Sequence, residues 1–287
     1  MDIDIKEVPK RRYVYLRDEN DKRIILPAFY DKEDITGTII INISSKTFQH
    51  NGIKIKFTGY IENILSHKKS EFISLSKDLL QPGIINNQTI SLPFSFNNVE
   101  KAYESYRGLE FNVKYIISVI IEFSLKHSVW EREIGVSRPN PRDILNINNN
   151  PIKLDVGIGQ WMNLIFEIKQ VKLGTKDVCQ GNIIFKRVSL GIKSMLLQII
   201  KKETEIGKEF DQAILCRYEI MDGSPVNNEV IPFRFFLSPF ELTPTYENVN
   251  NIFSVRYYLN LVIIDQKNER YFKQQEINLF RIPRNFV

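Results

Sequence analysis

The sequence predicts an all-β chain of two tandem β-sandwich domains, and three observations carry the prediction. Short segments rich in β-branched and aromatic residues alternate apolar with polar at period two. Turn residues separate them, and the series recurs about 140 residues further on. In chain order, the first half offers IIINIS from Ile39, IKIKFTGYIE from Ile53, LPFSF from Leu92 and NVKYIISVII from Asn112. In IKIKF, Ile53, Ile55 and Phe57 fall on one face and Lys54 and Lys56 on the other, the pattern of a half-buried strand. Turn chemistry bounds the runs at His50-Asn51-Gly52, Gln81-Pro82-Gly83 and Asp222-Gly223-Ser224-Pro225. The segment around Phe72, Leu75 and Leu79 fits a short helix or an edge strand and stays open. Many short strands without long helical periodicities argue for antiparallel sandwiches.

The repeat rests on four pairs in the same order. Asp34-Ile35-Thr36-Gly37, leading into TII, matches Asp177-Val178-Cys179-Gln180-Gly181, leading into NII. Gly52-Ile53-Lys54 matches Gly191-Ile192-Lys193, SLPFSF from Ser91 matches VIPFRF from Val230, and FNVKYIISVII from Phe111 matches FSVRYYLNLVI from Phe253. The offsets run from 139 to 144 residues. One such pair arises easily by chance among apolar strands; four in register are much harder to dismiss. The stretch NINNNP, residues 146–151, is polar and ends in proline. The division it predicts is 1–149 for the first domain and 150–287 for the second, each long enough to bury its own core.

Composition excludes several classes. The 287 residues are 43% hydrophobic and 25% charged, proportions of a globular chain rather than a disordered, collagenous or coiled-coil one. The longest apolar stretches, such as YIISVII from Tyr115, reach seven residues, against the roughly 20 that a membrane-spanning helix needs. The start, MDIDIKEVPKRR, lacks the apolar core of a secretory signal, and Cys179 and Cys216 belong to neither a CxxC nor a disulfide framework. A soluble, intracellular chain is expected. The net charge of +5 is spread out, with small clusters at Lys10-Arg11-Arg12, Lys68-Lys69 and Lys201-Lys202, so no nucleic-acid partner is expected.

Catalysis and metal binding find no foothold. His50, His67 and His127 lack a second ligand at metal spacing and read as surface or turn residues. The one GxG, Gly157-Ile158-Gly159, lacks the third glycine and the following helix of a dinucleotide site. Both cysteines read as small buried hydrophobes. The expectation is a protein without catalytic residues, cofactor or metal.

The second half is richer in specific-looking residues. In Tyr218-Glu219-Ile220-Met221-Asp222-Gly223, two adjacent apolar residues precede an Asp-Gly turn. Adjacent strand residues point to opposite faces, so either one of Ile220 and Met221 leaves the core or the pair bulges. An exposed apolar residue there suits partner docking. A strand end with both side chains tucked under the loop is the other reading, and periodicity alone does not choose.

These residues also carry a resemblance. YEIMDG, FSVRYYLNLV and RYFKQQEI resemble the second lobe of the vacuolar protein sorting-associated protein 26 family, the arrestin-fold subunit of retromer. Phe29-Tyr30-Asp31, HNGIKIKFTGYIE from His50, Leu80-Gln81-Pro82-Gly83, YESYRG from Tyr103, IKLDVGIG from Ile152, KDVCQGNIIF from Lys176 and IIKKET from Ile199 resemble it in the same order. The resemblance implies two arrestin-like sandwiches and no catalysis. It implies docking onto an α-solenoid retromer subunit, of the vacuolar protein sorting-associated protein 35 type, through Ile220 and Met221, with Asp222 and Gly223 shaping the turn. A sorting nexin and the cytosolic tails of transmembrane cargo are the other implied partners, with Val156 and Phe272 as the matching groove residues. The implied setting is the cytosolic face of endosomes, by peripheral association, in endosome-to-Golgi and recycling transport. The related readings are the paralogous retriever-type subunit and a general arrestin-like trafficking adaptor.

Overall fold

The computed structural model describes residues 2–7, 11–17, 22–43, 47–86, 88–139, 150–208 and 210–281. The chain separates into two compact units, Met1–Arg138 and Pro139–Val287. Residues 146–149 of the expected seam, Lys10 of the first basic cluster and the residues beyond Arg281 lie outside the described residues. Among the described residues there is no helix.

The first unit contains β1 (Asp2–Glu7), β2 (Tyr13–Arg17), β3 (Arg23–Phe29), β4 (Ile35–Asn42), β5 (Phe48–His50), β6 (Gly52–Asn63), β7 (Lys69–Leu80), β8 (Gly83–Ile85), β9 (Thr89–Phe96), β10 (Tyr106–Arg107), β11 (Phe111–Glu122) and β12 (His127–Val136). One sheet runs β1-β4-β9; the other runs β2-β3-β12-β11-β6-β7, with β10 joined to β11. The second unit contains β13 (Ile152–Ile158), β14 (Met162–Ile168), β15 (Lys172–Gly174), β16 (Val178–Val188), β17 (Ile192–Glu205), β18 (Phe210–Asp222), β19 (Val230–Phe236), β20 (Tyr246–Val249), β21 (Phe253–Asp265) and β22 (Arg270–Phe280). Its sheets run β13-β14-β16-β19 and β15-β22-β21-β17-β18, with β20 joined to β21.

Alternation builds both cores. Along β6, Ile53, Ile55 and Phe57 are fully buried, and Phe57 meets Phe96 of the facing sheet at 6.4 Å between ring centroids. In the second unit the buried rings of Phe166 on β14 and Phe233 on β19 lie 5.7 Å apart. Burying such rings supplies much of the driving force for closing each sandwich. The segment around Phe72 that suited a helix or a strand is β7, an edge strand with neither face fully covered. His50 is buried at the end of β5 against the Phe48 ring rather than lying on the surface.

The four sequence pairs occupy equivalent places. β4, β6, β9 and β11 take the positions in the first unit that β16, β17, β19 and β21 take in the second. The likeness extends to details: β12 pairs in parallel with β3, and β22 in parallel with β15. Gly37 lies opposite Phe94, and Gly181 opposite Phe233, so a glycine faces a phenylalanine in each unit. The reason for glycine is sharpest at Gly181, where a Cβ would sit 2.0 Å from the Glu167 carbonyl oxygen and 2.5 Å from the Phe233 ring. A Gly181→Ala chain must push β14 and β16 apart. It is expected to lose about 2–3 kcal/mol, seen as a melting point lower by about 5–10 °C for the second unit.

Each unit also ties a connection down with one buried tyrosine. The Tyr115 hydroxyl accepts from the Tyr103 N–H at 3.3 Å and donates to the Tyr103 carbonyl at 2.7 Å. The Tyr257 hydroxyl accepts from the Thr243 N–H at 3.3 Å and bonds the Thr243 hydroxyl at 2.8 Å. Burial pushes the Tyr257 hydroxyl up to about 12 and the Tyr115 hydroxyl higher still, so both stay protonated and available as donors.

Candidate docking surface on the second unit

Among the described residues β18 is the last strand of its sheet, hydrogen-bonded to β17 on one side and with no strand on the other. A free edge presents unpaired backbone groups to a partner. Near its end the ladder slips. Met221 lies opposite Met195, and Glu219 opposite Leu196, which leaves Ile220 as the extra residue of a bulge. Of the two outcomes read from the motif, the pair bulges. Both side chains are half-buried, between exposed Glu219 and exposed Asp222.

The turn that follows is built tightly. Gly223 adopts φ +89°, a left-handed value that suits glycine, and its N–H donates to the Lys193 carbonyl at 2.8 Å. The Ser224 hydroxyl accepts from the Ile192 N–H at 2.8 Å and donates to the Ile192 carbonyl at 3.0 Å. Both bonds clamp the turn onto the start of β17, so Ile220 and Met221 sit on a fixed scaffold. Two further side chains of β18 reach solvent, Ile214 at 50% and Tyr218 at 44% exposure. The sequence does not mark either as a site residue, because the apolar run Ala213–Cys216 does not alternate and a register shift at Ile199/Ile200 breaks the period-two pattern there.

The other two candidates belong to different sheets of the second unit. Phe272 is 60% exposed on β22, opposite Val262, which pairs with Leu196, which pairs with Glu219. Phe272 and the bulge therefore end one cross-strand row of a single sheet. Among the described residues no strand pairs with the outer edge of β22 from Arg270 to Ile277, because β15 pairs only with Asn278–Phe280. Val156 belongs to the other sheet, on edge strand β13, where it is 8% exposed and opposite fully buried Leu164.

Chemistry is muted elsewhere. Burial pushes the thiols of Cys179 and Cys216 up to about 12 and about 11, so neither is a thiolate at neutral pH. Among the described residues no three His, Cys, Asp or Glu side chains gather as a metal site, and no helix is long and apolar enough to cross a membrane.

The sequence model of the family described as vacuolar protein sorting-associated protein 26 matches residues 1–268. Vacuolar protein sorting-associated protein 26B of Xenopus tropicalis is 41% identical over 98% of this chain and 84% of its own length. The protein of the same name from Arabidopsis thaliana is 37% identical over 98% and 93%. Vacuolar protein sorting-associated protein 26 of Plasmodium falciparum is 40% identical over 98% and 95%.

Proposed function

The chain belongs to the vacuolar protein sorting-associated protein 26 family, and from that premise we propose that it is a non-enzymatic protein-sorting subunit, the arrestin-like arm of a retromer complex on the cytosolic face of endosomes. In this reading the second unit docks onto an α-solenoid subunit through the end of β18. The observation that carries it is the bulge at Ile220 with Met221 beside it, two half-buried apolar side chains on a free strand edge, held by the Gly223–Ser224 clamp. Apolar anchors on rigid supports, ringed by polar residues, are the kind that concentrate interface energy. Arg217, Glu219 and Asp222, all exposed, supply that polar ring.

Cargo capture uses the opposite border of the same sheet. An extended cytosolic tail adds to the free edge of β22, taking main-chain hydrogen bonds, while Phe272 offers an apolar contact beside it. A sorting nexin lies alongside. Val156, on edge strand β13, is the second groove residue of this reading.

The experiment is a pull-down from the source cell's lysate with the full chain as bait. Retention of a large helical-repeat protein is the expected result. Failure to retain one, with the bait folded by circular dichroism, contradicts the reading.

A further inference from the structure

At one end of the first unit, two hairpin tips carry leucines into solvent. Leu65 is 75% exposed in the turn between β6 and β7, and Leu109 is 40% exposed in the turn between β10 and β11. The tips are joined, since the Ile64 N–H donates to the Glu110 carbonyl at 2.7 Å. The first tip is also rigid. Asn63 Oδ1 accepts from the Ser66 N–H and the Ser66 hydroxyl, each at 2.9 Å, and the Asn63 N–H donates to the Lys68 carbonyl at 2.9 Å. The same turn presents His67, Lys68 and Lys69, all exposed, with Lys69 Nζ 4.8 Å over the Tyr60 ring. Neighbouring acids are engaged, Glu62 by Lys114 and Glu71 by Lys56; Glu110 is the acid the tips themselves carry.

We propose that these tips are a membrane contact: Leu65 and Leu109 enter the headgroup–acyl boundary of an anionic bilayer while Lys68 and Lys69 meet its headgroups. The proposal rests on the reading of the chain as a peripheral sorting subunit and adds where it touches lipid. Three features favour a lipid surface over a protein. Both leucines stand exposed at hairpin turns beyond the strand ends, and a bilayer, unlike a protein, needs no complementary groove to receive them. The exposed leucines stand beside a run of cationic residues, the pairing that interfacial anchors use. The run's charge complements anionic lipid, which attracts each nearby lysine. Leu125, in the turn between β11 and β12, is fully exposed at the opposite end of the same sheet, because Glu122 pairs with Gly52 at one end of β6 and Phe111 with Asn63 at the other. It provides an internal control of equal hydrophobicity.

The test is co-sedimentation of the full chain with vesicles of phosphatidylcholine alone or with about one-fifth phosphatidylserine. The wild type is expected to partition about tenfold better into the anionic vesicles. Leu65→Ser with Leu109→Ser should lower binding about tenfold. Lys68→Ala with Lys69→Ala should remove the preference for phosphatidylserine, and Leu125→Ser should change nothing. All these side chains are exposed, so melting curves should match the wild type and report any variant that misfolds. The proposal is overturned if the wild type ignores the vesicles or if Leu125→Ser costs as much as the tip pair. It is also overturned if the tip variants bind vesicles normally but lose a helical-repeat partner, which assigns the tips to protein. Tip-dependent vesicle binding in a chain that retains no such partner leaves the lipid contact standing and removes the sorting-subunit reading instead.

Discussion

A chain carrying Ile220→Asp and Met221→Asn is expected to bind its helical-repeat partner about a hundredfold more weakly or worse while keeping its fold. Two apolar anchors at the centre of an interface each cost about 1–2 kcal/mol or more when replaced by polar groups, and each 1.4 kcal/mol is tenfold in affinity. The fold tolerates the change because Ile220 lies outside the ladder register and both residues are only half-buried. The repeat provides a matched control. In the first unit Leu80 lies opposite Ile53 and Asp78 opposite Lys54, so Leu79 is the extra residue of the same bulge, followed by Leu80 and a Gln-Pro-Gly turn. Leu79→Asp with Leu80→Asn makes the same chemical change at the equivalent place. Titration calorimetry should find its affinity unchanged.

The second large effect concerns Lys101, which is fully buried in the connection between β9 and β10. Its ammonium donates to the Glu33 carbonyl at 2.6 Å and to the Val99 carbonyl at 2.9 Å, and its N–H donates to Asp31 at 2.9 Å. Two of the connections between the sheets, residues 30–34 and 97–105, are thus held by one side chain. Lys101→Met takes the ammonium from the Glu33 carbonyl and leaves the Val99 carbonyl with the Lys32 N–H alone, and the expected loss is about 1–3 kcal/mol, read as early melting of the first unit. Burial pushes the Lys101 ammonium down to about 8, against the pull of Glu33 and Asp31. The folded value lies below the unfolded one, near 10.4, so the unfolded chain holds more protons between them. This lysine's contribution is therefore smallest below about pH 8 and grows as pH rises toward 10. The stability gap between wild type and Lys101→Met should widen from pH 7 to pH 9. A constant gap means that Lys101 keeps its proton throughout.

Much of the fold was legible because both signals act locally. Period-two alternation in IKIKF requires only that one face of β6 be buried, and it is. The repeat was legible because equivalent strands need equivalent residues, as with a glycine opposite a phenylalanine in each unit. What stayed hidden depends on partners distant in sequence. Lys101 looks like a surface residue until Glu33 and Val99 supply its acceptors. In β7, Phe72, Leu75 and Leu79 carry a helical spacing, and only pairing with β6 fixes them as a strand. The bulge at Ile220 is a slip between two strands, so the motif showed two apolar neighbours without showing which one leaves the register. Val156 and Phe272 stand on different sheets, so no strand register in the sequence could relate them.

The most direct test of the docking account is hydrogen–deuterium exchange of the chain alone and with its helical-repeat partner. Free-edge amides exchange readily until something covers them. Slower exchange over residues 217–224, with residues 77–83 unchanged, is the predicted result. Unchanged exchange over 217–224, or protection at 77–83 in its place, contradicts docking through the end of β18.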